Sequence, residues 1–233
     1  MPYYYYGFDP TYVLVLIGAV ICLIASARVK STFNKYSRYR SMSGMTGAQA
    51  AERILNSAGI YDVTVCHISG SLTDHYNPVN KTINLSRDVY YGNSIAAAAV
   101  AAHETGHALQ HAKGYSMLKL RSTLVPAVEF ASHWVQWILL AGILMVNSFP
   151  GLLLVGIGLF AIMTLFSFVT LPVEIDASHR ALAWLRNSGI TDYQTQGYAF
   201  DALKWAAYTY VIAALSSLAT LLYYIMIYLN RRD

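Results

Sequence analysis

Charge is scarce in this chain. Only 12% of its 233 residues are Asp, Glu, Lys or Arg, against roughly 25% in an ordinary soluble domain, which excludes a fully water-covered surface. Cysteine is scarcer still. Cys22 lies within an apolar run and Cys66 outside it, so a disulfide between them would be geometrically awkward and nothing calls for an oxidising compartment. The shortage of charge is also concentrated. Pro10 to Ala27, Trp134 to Val173 and Ala206 to Leu229 contain no Asp, Glu, Lys or Arg at all, and the mean hydropathy is +0.40. Such runs predict membrane spans. The net charge of +4 does not point to nucleic acid, because Arg28, Lys30, Lys35, Arg38 and Arg40 directly follow the first run, where a bilayer explains them. The rest of the chain is too short for two soluble domains of normal size, which leaves room for one modest extramembrane domain.

Four spans are expected, over residues 11–27, 134–149, 151–173 and 206–229. The first is about 26 Å long as a helix, slightly under a ~30 Å hydrocarbon core, and the tyrosines at positions 3 to 6 and 12 extend it into the interface. Ala25-Ser26-Ala27 has the small residues of a cleavage site, but only Asp9 is charged in Met1 to Pro10, so an uncleaved anchor is the better reading. Asn147-Ser148-Phe149-Pro150-Gly151 supplies turn chemistry between the second and third spans, making them a hairpin. With the first positive flank inside, residues 29–133 and 174–205 face the cytoplasm. Arg231 and Arg232 then lie outside, an objection outweighed by the number of basic residues on the other side.

Within the extramembrane part, Ala51, Ile54, Leu55 and Ala58 give helical spacing over Gly47 to Ala58, closed by Gly59. Val63 to Ile68 alternates like a strand. Asn77-Pro78-Val79-Asn80 separates Leu72 to Tyr76 from Lys81 to Leu85 and predicts a β-hairpin. Asn93 or Ser94 caps an alanine-rich helix from Ile95 to about Lys113, ended by Gly114.

That helix carries His103-Glu104-Thr105-Gly106-His107. Histidines at i and i+4 share one helix face and can bind one Zn²⁺, while the glutamate between them is placed to take a proton from an activated water. With 7 His, the pattern arises by chance only about 0.004 times in a chain of this composition. A zinc that keeps an open position needs a third protein ligand. The position a metzincin would use is Lys113, which excludes that class, and His111 sits about 6 Å further along the helix, too far to converge. The acidic candidates are Glu129, Glu174, Asp176 and Asp201. Glu174 and Asp176 sit where the hairpin re-emerges beside the H-E-x-x-H helix, with Pro172 fitting a helix start or a kink. About 200° of helical rotation separates the two acids, so only one can face the metal. Glu174 shares a face with Ser178, Asp176 with Arg180. Glu174 is preferred as the ligand and Asp176 is the alternative.

These residues resemble a known family. H-E-T-G-H-A-L-Q-H, then a membrane hairpin, then P-V-E-I-D-A-S-H-R-A is similar to the YugP-like membrane zinc metallopeptidases, and the resemblance extends to Asp74-His75-Tyr76 and Ala207-Tyr208-Thr209-Tyr210-Val211. More distantly it resembles HtpX-like and CAAX prenyl proteases. The resemblance implies a mainly α, polytopic membrane protein: about four transmembrane helices and a small α+β zincin-like metallopeptidase domain, acting as one unit over residues 1–233. It implies a gluzincin-like H-E-x-x-H…E endopeptidase with Zn²⁺ held by His103, His107 and Glu174. Glu104 is then the general base, and the substrates are peptides or proteins at the membrane. In those relatives an E-x-x-x-D pattern adds an acid behind the ligand. The matching position here is Ser178, so Asp176 takes part of that role.

A site-2-type intramembrane protease is disfavoured, because Ile95 to Ala102 is only about 12 Å of apolar helix before the motif. Weaker candidates for stabilising an oxyanion are His75, Tyr76 and His179. The hairpin from Leu72 to Leu85 offers either an edge strand for an extended substrate or a cover for the helix. Glu129 and His133, one turn apart, read as an interfacial ion pair. Two other functions compete: a catalytically silent membrane scaffold, against which the intact Glu104 argues, and a metal transporter, which wants charged groups within the spans.

Overall fold

The computed structural model describes the backbone of residues 10–230 and the side chains of 12–230. The tyrosines at 3 to 6, Asp9, Arg231 and Arg232 lie outside the described residues. The chain is mainly helical with one small sheet, in the order α1 (Pro10–Tyr36), α2 (Gly47–Ser57), β1 (Thr64–Ile68), β2 (His75–Asn77), β3 (Thr82–Ser86), α3 (Arg87–Tyr90), α4 (Ile95–Ala112), α5 (Ser116–Leu144), α6 (Pro150–Asn187) and α7 (Tyr193–Asn230). Four helices are long and apolar enough to cross a membrane, over Tyr12–Tyr36, Ser116–Leu144, Pro150–Asn187 and Tyr193–Asn230.

The chain divides into two compact units. One takes the described residues up to Ile24, Thr123–Val169 and the described residues from Val211 onward. Its helices approach through small residues. A Cβ on Gly142 would lie 2.6 Å from Leu153 Cα, so the α5–α6 hairpin closes this tightly only with glycine there, while one on Gly156 would lie 2.7 Å from Leu139 Cδ2, a side-chain end that can turn aside. In this unit His133 Nδ1 donates to the Glu129 carbonyl at 2.7 Å. The expected Glu129–His133 ion pair is thus replaced by a bond to the main chain one turn back, which a helical histidine can make without an acid partner.

The second unit, Ala25–Ser122 with Thr170–Tyr210, is built around α4. Ser94 caps that helix by accepting the Ala97 N–H, and Lys113 ends it just before Gly114, whose φ of +63° is the left-handed value expected past a helix C-terminus. The alanines, concentrated in its first two turns, let neighbours close on several sides. Ile95, Ala98, Ala99 and Ala102 pack with Ile54 of α2, Ala181 and Leu185 of α6, and Ala199 and Leu203 of α7. Ala96, Ala101 and Ala108 pack with Ile83 and Leu85 of β3 and with Phe33 and Tyr36 of α1.

The sheet order is β1-β3-β2, with β1 parallel and β2 antiparallel to the central β3. Asn77 Oδ1 accepts the Val79 N–H at 2.9 Å and shapes the hairpin turn. The first hairpin strand is shorter than the expected Leu72 to Tyr76. Leu72 is left-handed, at φ +57°, and the Asp74 side chain takes the Ser86 N–H at 2.7 Å, so pairing begins only at His75. Pro172 is likewise not a helix start. Helix α6 runs through it without a break from Pro150 to Asn187, because a proline removes a single i→i−4 bond and the turns on both sides keep theirs.

Candidate metal centre

Three side chains from two helices meet in the second unit. His103 and His107 project from the same face of α4, and Glu174 enters from α6. Glu174 Oε2 lies 3.2 Å from His103 Nε2 and 3.5 Å from His107 Nε2, and one ligand atom from each residue falls within 4.8 Å of the other two. With metal–ligand bonds of about 2.0–2.1 Å, adjacent ligand atoms of a tetrahedral site stand about 3.3 Å apart. The donor set therefore suits Zn²⁺ in identity and in spacing. Glu174 is buried, at 2% exposure, and belongs to this group, whereas the more open Asp176 does not.

Gly106 explains how α6 comes so close. A Cβ there would sit 2.8 Å from the Ala177 carbonyl oxygen and 3.2 Å from Ala177 Cα, so only glycine admits the approach. Ala177 lies one turn after Glu174, on the same side of α6.

Each histidine is held through its second nitrogen. A histidine that bound a metal through Nε2 would carry its proton on Nδ1 and donate from there. His103 Nδ1 lies 3.1 Å from Ser178 Oγ, the residue that stands where distant relatives have an acid. His107 Nδ1 lies 3.0 Å from Gln110 Oε1. The fully buried Gln110 in turn donates Nε2–H to the Val173 carbonyl at 2.8 Å and to Asp176 Oδ2 at 2.7 Å. Asp176 is paired at 2.6 Å with Arg180. Asp176 thus reaches His107 through Gln110, on the face of α6 assigned to it from the sequence. Burial of His107 opposes its positive charge, but the bond to Glu174 and the charges of Glu104 and Glu174 hold its pKa above the ordinary imidazole value.

Glu104 is buried and accepts the Tyr76 backbone N–H at 3.0 Å, so edge strand β2 steadies its carboxylate. Tyr76 turns its hydroxyl the other way, 2.8 Å from His111 Nδ1, and burial raises its phenol pKa. His75 binds the Thr73 carbonyl and Asn84, and His179 is exposed; neither joins the His103–His107–Glu174 group. Asp201 accepts from the Tyr36 hydroxyl at 2.8 Å. Three participants were not singled out from the sequence. Gln110 was findable, as it falls three residues past His107. Arg121, whose Nη1 lies 3.5 Å from Glu174 Oε1, and Tyr210, which lies in the electrostatic field of Glu174, come from other helices and carry no spacing signal.

Residues 11–229 match the family model described as "Putative neutral zinc metallopeptidase". The chain belongs to this family, and it is accordingly a zinc-dependent membrane peptidase. It is also 46% identical, over 90% of its own length and 92% of the relative's, to a protein of Bacillus subtilis (strain 168) called "Putative membrane protease YugP". No solved structure matches.

Proposed function

We propose that the chain is an endopeptidase of the gluzincin type, built on a zincin-like domain, in which His103, His107 and Glu174 hold Zn²⁺ and Glu104 is the general base. The convergence of two Nε2 atoms and one carboxylate oxygen, with Glu104 on the same helix turn, carries this reading. Bound zinc would supply Lewis acidity to a water and to the peptide carbonyl. Glu104 accepts one proton from the attacking water as the oxygen–carbon bond forms, then delivers it to the amide nitrogen as the carbon–nitrogen bond breaks, leaving a carboxylic acid and an amine. The Tyr76 N–H keeps the carboxylate aimed during that transfer. Ser178 and the Gln110–Asp176–Arg180 chain fix the two imidazole tautomers.

The substrates of this reading are membrane-associated or membrane-proximal proteins, cut on the cytoplasmic side of the cell membrane. The basic residues from Arg28 to Arg40 support that side. Glu104→Gln tests the division of roles, because its carboxamide cannot take the proton but leaves the ligands in place. Metal analysis and hydrolysis of a labelled casein, with and without chelator, should find zinc retained and chelator-sensitive activity lost. Full activity in that variant would remove Glu104 as the base.

A further inference from the structure

Peptide hydrolysis puts negative charge on the carbonyl oxygen as water attacks, and a donor aimed at that oxygen contributes strongly to the rate. The sequence offers His75, Tyr76 and His179 for this, and none is suitably placed. His75 and His179 stand apart from the metal group. The Tyr76 side chain lines a different cavity, together with Lys81 and His111. Arg121 is paired with Glu174 Oε1 and does not line the cavity beside the metal group.

That cavity, of about 360 Å³, is lined by His103, Glu104 and Asp74, by apolar Leu72 and Leu203, and by Tyr210 of α7. The Tyr210 hydroxyl lies within the electrostatic field of both Glu174 and Glu104. Tyr210 is 37% exposed and lines that cavity, so its side chain borders the space a substrate would fill beside the metal group. We infer that Tyr210 is a catalytic residue, whose hydroxyl donates a hydrogen bond to the oxyanion formed from the scissile carbonyl, in the cavity it shares with Glu104. The inference rests on the endopeptidase reading above and adds the donor which that reading leaves unassigned. A neutral phenol suits the task, since it adds no positive charge to compete with zinc for Glu174.

The test compares wild type with Tyr210→Phe as zinc-loaded, full-length protein in detergent. Two peptides with the same leucine side chains serve as probes: a phosphinic peptide, which carries a tetrahedral anion, and a thiol peptide, which binds the metal without one. Zinc content and thiol-peptide affinity should stay unchanged. Phosphinic-peptide affinity and kcat on labelled casein should both fall about 10²- to 10³-fold, with KM little altered, and Tyr210→His, which keeps a donor, should recover part of the loss. Unchanged kcat in Tyr210→Phe, equal weakening of both peptides, or loss of zinc would each overturn the assignment; zinc loss would make Tyr210 only a support for Glu174. A loaded wild-type protein that neither hydrolyses casein nor binds the phosphinic peptide would instead sink the endopeptidase reading, and this inference with it.

Discussion

Gly106→Ala is a one-methyl change that should disable the metal centre without touching a ligand. The new Cβ would meet the Ala177 carbonyl oxygen at 2.8 Å and Ala177 Cα at 3.2 Å, whereas carbon atoms rest about 3.5–4.0 Å from their neighbours. Helices α4 and α6 must therefore separate by roughly 0.5 Å at this crossing. Overpacking of this kind costs about 1–3 kcal/mol, partly offset by the ~1 kcal/mol that alanine gains over glycine within a helix. The metal site feels the shift more sharply than stability does. Glu174 is one turn from Ala177, and a site that tolerates ligand errors of about 0.2 Å would be stretched by more than twice that. Zinc affinity should fall about 10- to 100-fold, as it does when ligand orientation is lost, while the melting temperature of metal-free protein changes by only a few degrees. Competition against a graded chelator series, with thermal unfolding beside it, measures both. Pairing the change with Ala177→Gly should not rescue binding, because the obstructing atoms are main chain. If Gly106→Ala bound zinc like wild type and simply melted higher, α6 would not pass as close to α4 as described.

Three further outcomes are expected. In the same chelator series, Glu174→Ala should lose the metal outright, whereas Asp176→Ala and Gln110→Leu, which act only through His107 Nδ1, should weaken it about 10- to 100-fold; metal loss in Asp176→Ala with retention in Glu174→Ala would reverse the ligand assignment. A cysteine placed in the exposed turn Asn77 to Asn80 should resist an impermeant label in intact cells and react after lysis, and labelling from outside would invert the proposed orientation. Burial raises the Asp74 pKa above its ordinary 3.8 despite the bonds from Ser86. Its folded form therefore binds a proton more readily than its unfolded form, and wild type should gain stability, relative to Asp74→Asn, as pH falls through the raised value toward 3.8. Parallel slopes of melting temperature against pH in the two proteins would contradict this.

Some features follow from local pattern: Ser94 caps α4, and His103 and His107 share a face because an i, i+4 spacing allows nothing else in a helix. The charge-free runs lie mostly in four helices that extend well beyond them, α5 beginning at Ser116 rather than near Trp134. What was illegible depends on the packing of segments distant in sequence. Pro172 looked like a helix start because its missing N–H fits that position equally well, and only the continuous turns around it decide otherwise. Leu72 is expected to open the hairpin strand, yet its backbone is left-handed and the Asp74 carboxylate takes the Ser86 N–H. Arg121 and Tyr210 reach Glu174 from helices whose rotation no spacing within them specifies. Gln110 lay in plain view on the H-E-x-x-H face, but its amide could be assigned a role only once Val173 and Asp176 stood beside it.

The alanine-rich build of α4 bears on which part of the site fails first. Nearly every residue from Ile95 to Ala108 is buried, so the amides of that helix should exchange with solvent deuterium only when the whole unit opens. Strand β2 is three residues long and lies at the sheet edge, where fraying is cheap, yet its Tyr76 amide is what tethers the Glu104 carboxylate. The two histidines and the tether of the base thus belong to different opening events. Under mild denaturant the edge strand should detach while α4 still grips its metal, leaving molecules that are loaded with zinc and unable to turn over.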